Sequence, residues 1–322
     1  MERKMMNTEN RFVKTRVALV GAAVALAAAL LLLVGLANPA PAASALVNGD
    51  FETGNTAGWT ASHPGQTQVV TGYDSPFAGG VAYQPVDGAY FALRTADPAD
   101  APVKLSQSFI AGKGMTVRGN TFFQANDYLP FNDSSQVVVK LKENGDLVDT
   151  LFQKSISDVG DFGQTPWTHW EHTFTEPGEY TIEVSVTNAS DTVNDSVIGL
   201  DAVELSYNFA GFFSPIDNPK VVNKAKAGSA IPVKFSLGGD SGLDDLATGS
   251  PSSQAIDCDT SDSVDAIEET VTAGSSSLSY DATTDQYTYV WKTDKAWTNM
   301  CRQLEVSLID GSTHVAYFEF VK

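Results

Sequence analysis

The chain has 322 residues, with 20 Lys and Arg against 39 Asp and Glu, and a formal charge of −19 at pH 7. A surface this acidic repels phosphate backbones, and no Lys/Arg cluster interrupts it, so nucleic acid is a poor partner. Gly, Pro, Ser, Thr and Asn punctuate short alternating runs, and no helical amphipathic window follows the first 45 residues, which predicts an all-β chain of two ordinary-sized domains.

Residues 1–16 carry Arg3, Lys4, Arg11, Lys14 and Arg16 against Glu2 and Glu9, and Val17 to Ala37 is an uncharged apolar run. Ala43, Ser44 and Ala45 fit the small-x-small cleavage pattern. We therefore expect a signal-peptide helix over 1–45, cleaved before Leu46, and a secreted or cell-surface protein. If it stays uncleaved, about 20 apolar residues are long enough to span a bilayer, so membrane attachment depends on non-cleavage. Without this segment the charge is −22, since it holds five bases and two acids. Both halves share it, with 7 bases and 21 acids over 46–207 and 8 bases and 16 acids over 208–322. Solubility explains that charge; Asp-rich loops also leave room for calcium.

In LVNGDFETGNTAGWT, residues 46–60, Leu46 and Phe51 are apolar and polar Asn48, Asp50 and Glu52 lie along one side at period two, which predicts a short strand, and the glycines at 54 and 58 a turn before Trp59. Further strands are expected at 66–70, 87–94, 103–109, 115–126 and 136–142. Asn144 and Gly145 mark a hairpin turn. TrpThrHisTrpGluHisThrPhe (167–174) and 178–187 read as a late strand pair joined at GluProGly, and VIGLDAVELS (197–206) as the last strand. The opening segment, DGAYFALR and the last strand together resemble bacterial jelly-roll modules of the galactose-binding and carbohydrate-binding kind, over residues 46–207. The resemblance implies a jelly-roll β-sandwich that binds sugar, and a calcium ion tying the first strand to the last.

On that resemblance Asp50 and Glu52 would face Asp201 as hard oxygen ligands for a structural calcium, and the ion would offset repulsion between the carboxylates. The competing reading is that Asp50 and Glu52 are solvated acids on a strand face. Loops 127–133 and 191–195 are expected to converge at one rim, where Tyr128 and Phe131 either stack on a sugar face or cap the sandwich. His169 and His172 are three apart on a strand and point to opposite faces, so they do not share a metal. No GxSxG or HExxH motif and no recognisable carboxylate pair appears, so we expect no enzyme.

In the second half, Cys258 and Cys301 of an exported protein are expected to form a disulfide, worth about 4 kcal/mol on the chain-entropy model. Ile231, Val233, Phe235 and Leu237 share one face, and Pro232, lacking an N–H, places its strand at an edge or start. Tyr287, Tyr289 and Trp291 alternate with Thr288, Val290 and Lys292. Asp310 and Gly311 mark a closing hairpin. Residues 238–252 read as a long solvated loop. The segments around ProValLysPhe (232–235), SerGlnAlaIleAspCys (253–258), 277–293, Trp297, CysArgGlnLeu (301–304) and AspGlySer (310–312) closely resemble the PxKF domain. That resemblance implies an immunoglobulin-like sandwich over 208–322 with no known chemistry, acting as spacer or attachment module. Lys234 is read as structural, its stem on apolar surface.

The sequence thus points to a non-catalytic binding protein whose first module recognises polysaccharide or a cell-surface glycan. The alternative is a structural extracellular protein whose modules mediate protein contacts without glycan.

Overall fold

Strands come first along the chain of the computed structural model, which describes residues 46–77, 80–272 and 277–322. The expected signal peptide lies outside these residues. In the first half they are β1 (Thr60–Ala61), β2 (Thr67–Val70), β3 (Tyr73–Asp74), β4 (Ala82–Tyr83), β5 (Phe91–Thr95), β6 (Val103–Ala111), β7 (Thr116–Gln124), β8 (Ser134–Leu141) and β9 (Leu147–Ser155). A single helical turn, α1 (Ile156–Val159), precedes β10 (Thr168–Thr173), β11 (Gly178–Thr187) and β12 (Val197–Ser206). Two antiparallel sheets result, ordered β1-β6-β11-β8-β9 and β10-β7-β12-β5-β2. The chain is all-β, and these sheets pack as a sandwich.

Period-two alternation decides which side chains fill it. On β6, Val103, Leu105, Phe109 and Ala111 are buried while Lys104, Ser106 and Ser108 are not. Gln107 shares the inward side, and its amide binds both backbone groups of Val47, which holds the entering chain against the sheet. Trp170, Phe174, Phe152 and Ile182 close the core from other strands. Burying each such side chain contributes roughly 1.5–3 kcal/mol.

Residues 46–52 are not a strand. Asn48 and Phe51 take positive φ, outside the extended region of a regular strand, and Asn48 organises a loop instead. Its side chain donates to the Asn55 and Ala57 carbonyls and accepts from Thr53, while its own carbonyl takes the Trp59 indole N–H. Phe51 is thereby turned into the core against Trp59, with ring centres 5.5 Å apart. The loop still meets the last strand, because Val203 N donates to Gly49 O at 2.9 Å. Only glycine fits at 49, since a Cβ would come within 1.9 Å of Val203 O. The segments at 167–174 and 178–187 are both strands, but they do not pair: β10 lies on β7 and β11 between β6 and β8, in opposite sheets.

The second half contributes β13 (Phe212–Phe213), β14 (Val222–Lys226), β15 (Ala230–Phe235), β16 (Ser252–Ile256), β17 (Glu268–Glu269), β18 (Val271–Thr272), β19 (Ser279–Asp281), β20 (Gln286–Lys292), β21 (Cys301–Ser307) and β22 (Thr313–Val321). One sheet runs β13-β15-β20-β18 with β19 also on β20; the other runs β14-β22-β21-β16-β17, its β14–β22 pair parallel. Ile231, Val233, Phe235, Tyr287, Tyr289 and Trp291 are all buried. Pro232 sits where β13 has already ended, so its missing N–H costs no ladder bond on that side. The Cys258–Cys301 disulfide is formed.

Residues 238–252 are anchored, not a free solvated loop. Ser241 and Asp245 are buried, Asp245 accepts from the Tyr207 and Ser241 hydroxyls, and the Tyr287 hydroxyl takes Ser241 N. Tyr207 N also donates to Asp310 at 2.8 Å. No strand pairing crosses Tyr207, yet the buried apolar side chains run continuously from Leu205 and Tyr207 to Phe212 and Phe235.

Candidate functional site

The two acidic loops expected at a rim do converge. After β7 the chain turns through 125–133, and after β11 through 188–196, at the same end of the sandwich. Asp133 couples them: its Oδ1 accepts from Ala189 N at 2.8 Å and its Oδ2 from the Ser196 hydroxyl at 2.5 Å. The Ser196 Oγ in turn accepts from Asn126 N. Burial pushes the Asp133 carboxyl above the ordinary carboxylate range, with Asp127 nearby adding to the rise and Ser196 and Ala189 opposing it.

Above this buried polar layer stands a group of aromatic rings. Tyr128 is 43% exposed and Phe162 36%, and Tyr128 lies 5.8 Å from Phe131 and 5.7 Å from Phe162 between ring centres. Phe77 backs Phe162 at 4.5 Å. The rings meet at 87° and 47°, so they form a faceted rim and not one flat surface. Backbone bonds fix their spacing: Phe162 N donates to Asp127 O, Leu129 N to Asp161 Oδ1 and Phe131 N to Tyr128 O. Asn132, exposed next to Phe131 in the chain, accepts from Ser157 N and Oγ through its Oδ1. Phe77 and Phe162 were not foreseen from sequence. The only signal for Phe162 is an aromatic between Gly160 and Gly163, where it adopts a positive φ.

The carboxylates expected at calcium behave differently. Glu52 Oε1 accepts from Ala89 N and Tyr90 N, both at 2.8 Å. Asp201, fully buried, accepts from Val86 N, Asp87 N and Ala202 N. Burial pushes its carboxyl up to about 6 against these three bonds. Both acids therefore grip segment 86–90 through backbone amides. Asp50 accepts from Glu52 N and lines an open 260 Å³ depression with Asp87, Glu204 and Asp310. Among the described residues no group of three or more His, Cys, Asp or Glu is placed to hold a metal. Of the expected set, Glu52 Oε2 and Asp50 Oδ2 are the oxygens left without an amide bond, while Asp201 accepts three.

His169 is exposed and His172 half-buried against Asp149 at 2.8 Å, on opposite sides of β10 as expected. The β3–β4 hairpin packs on the outer face of the β10-β7-β12-β5-β2 sheet. Tyr83 from the β3–β4 hairpin stacks on Phe122 at 3.5 Å, its hydroxyl on Thr165 O, and Trp167 donates to Gln84 O. A larger 590 Å³ cavity in the second sandwich is lined by Trp291, Trp297, Glu268, Lys292 and Lys295. Its aromatic faces are spoken for: Trp291 is fully buried and Arg302 covers Trp297 at 4.2 Å while bonding Glu268. The open aromatic surface thus lies on the first sandwich.

No family model and no curated protein matches the chain, so the PxKF resemblance stands on its quoted residues. Solved structures are similar to it. The enzymatically active domain of tailspike protein 4 of bacteriophage CBA120 shares 14% identity over 49% of this chain and 20% of that one, with a TM-score of 0.31. The CBM22-1 and GH10 modules of Clostridium thermocellum endo-1,4-β-D-xylanase 10B share 15% over 51% of this chain and 28% of that one, at 0.30. A xylan-binding domain from CBM22 shares 16% over 47% of this chain and 88% of that one, at 0.27. The chain spans 20% and 28% of the first two. At such scores and identities these likenesses carry no argument about activity.

Proposed function

We propose that this is a non-catalytic secreted or cell-surface protein that binds carbohydrate at the aromatic rim of its first sandwich. The observation that supports this reading is the exposed Tyr128, held with Phe131 on a loop fastened from beneath and flanked by Phe162 from the turn after α1. A pyranose presents an apolar C–H face that stacks on such a ring, and its hydroxyls need donors and acceptors at the edge. Asn132 Nδ2 and Asp161 Oδ2 supply one of each. The faceted arrangement favours a twisted chain or a chain end over a flat crystalline surface. The second sandwich serves as spacer or attachment module, and a structural calcium at Asp50, Glu52 and Asp201 belongs to the same proposal, drawing on Glu52 Oε2 and Asp50 Oδ2.

The test is retention on a panel of insoluble and soluble polysaccharides, with Tyr128→Ala and Phe131→Ala as variants. Retention by the native protein and its loss in both variants supports the reading. Absence of retention on every polysaccharide leaves the structural, protein-contacting alternative. Unchanged melting of the Glu52→Gln variant when calcium is added and removed, beside an equally unchanged native protein, removes calcium from that site.

A further inference from the structure

Beneath the aromatic rim, three buried side-chain oxygens have no donor. Asp127 and Asp133 are 1% and 0% exposed, and among the described residues neither has a Lys, Arg or His partner. Asp127 Oδ1 takes Tyr128 N, but its Oδ2 is buried with no partner. Asn188, fully buried, gives its Nδ2 to Asp195 Oδ1 and leaves Oδ1 unpartnered. Asn126, 8% exposed, gives its Nδ2 to Asp195 O and the Tyr73 hydroxyl and also leaves Oδ1 unpartnered. All three orphans are oxygens, and their residues are tied together. Ser196 Oγ joins Asn126 to Asp133, Ala189 beside Asn188 bonds Asp133, and Asp127 is close enough to act on the Asp133 charge.

An orphaned buried acceptor costs about 1–3 kcal/mol, and an unpaired buried carboxylate more. One water molecule donates two hydrogen bonds and brings no charge, so it leaves both the third oxygen and the carboxylates uncompensated. A hard cation answers all of these. Zinc prefers nitrogen and sulfur, and magnesium demands strict octahedral geometry with retained waters, whereas calcium accepts carboxylate and amide oxygens in irregular sets.

We propose that loops 126–133 and 188–196 form a calcium site, with Asp127 Oδ2, Asn126 Oδ1 and Asn188 Oδ1 as ligands and Asp133 as the adjoining charge. It contains two carboxylates, so it is not a cluster of three acids. It is also separate from Asp50, Glu52 and Asp201, of which Asp201 accepts three amides. Calcium here fixes the backbone directly below Tyr128 and Phe131; that consequence for ligand binding rests on the carbohydrate reading, while the site itself does not.

Chelator-treated protein is titrated with calcium chloride by calorimetry, and with terbium by luminescence excited through Tyr73 and Tyr128. We expect calcium binding that survives Glu52→Gln, weakens at least about tenfold in Asp127→Asn, and tightens in Asn188→Asp, which adds a charged ligand. Terbium emission should appear on binding and be quenched by calcium. If Asp127→Asn fails to fold, the Asn188→Asp gain and the terbium signal decide. No calcium binding by the native protein, or the same affinity in native, Asp127→Asn and Asn188→Asp, overturns the site and leaves buried water only. Calcium binding with these variant effects but no polysaccharide retention upholds the site and overturns the carbohydrate reading alone.

Discussion

Glu52 with Asp201 and Asp127 with Asp133 are two pairs of carboxylates in one sandwich, and they are satisfied in opposite ways. Segment 86–90 turns four N–H groups toward the first pair, and Ala202 adds a fifth. The second pair receives Tyr128 N, Ala189 N and one hydroxyl, and is surrounded by side-chain oxygens that have no donor. Residue type alone does not distinguish them. What differs is whether the neighbouring backbone presents amides or the neighbouring side chains present oxygens, and that decides between a carboxylate used as a brace and one that calls for a cation.

The comparison is broken most directly by deleting each acid. At pH 5, where Asp201 is largely protonated, Asp201→Ala strips three part-buried amides of their acceptor and should cost about 2–3 kcal/mol in urea unfolding. Asp127→Ala in chelator strips one and should cost about 1 kcal/mol. Equal losses would mean that the two pairs are braced alike.

Protonation sharpens the same contrast. The Asp201 carboxyl is raised from 3.8 to about 6, so the folded state holds its proton more tightly than the unfolded state. Its contribution to stability is therefore full below about pH 3.8 and is lost as pH rises through about 6. Asp201→Asn mimics the neutral acid. The native protein should lose roughly 2 kcal/mol relative to that variant between pH 4 and pH 7 in chelator. A constant difference across that range contradicts the buried brace.

A smaller effect probes how Glu52 is seated. Gly88 has a φ of +63°, and a Cβ there would lie 2.2 Å from the Glu52 carboxyl carbon. Gly88→Ala should cost about 1–2 kcal/mol, from the left-handed backbone and from displacement of Glu52 off Ala89 N and Tyr90 N. Gly88→Ala in a Glu52→Gln background should lose most of the second contribution, measurable as a double-mutant cycle.

Much of this fold was legible because alternation at period two marks half-buried strands: β6, β15 and β20 fall where their apolar residues alternate, and Asn144-Gly145 and Asp310-Gly311 make the turns their residues favour. Leu46 to Glu52 misled for a physical reason. Its alternation is that of a strand, but Asn48 finds five local partners for its side chain and carbonyl, and those bonds outweigh a ladder. Which sheet receives β10 and β11 depends on pairings between residues far apart along the chain, from Tyr180 with Leu141 to Gly178 with Ala111, and nothing local encodes them. At the rim, Tyr128 and Phe131 stood out beside acids in a loop. Phe77 and Phe162 reach it from distant turns, and the orphaned oxygens of Asn126 and Asn188 exist only once the loops have met.

The least perturbing substitution separates the rim from the polar layer below it. Tyr128 is 43% exposed, its ring meets those of Phe131 and Phe162 edge-on or tilted, and its hydroxyl bonds nothing in the described structure. The backbone bonds of residue 128, to Asp127 Oδ1 and from Phe131 N, do not depend on the side chain. Tyr128→Ala should therefore change stability by about 1 kcal/mol or less and leave calcium affinity unchanged, while abolishing polysaccharide retention. Melting temperature, calcium titration and retention measured on the same preparation test all three. Loss of calcium affinity would show that ring and cation layer are one unit, and retention at the native level would move the binding surface away from this rim.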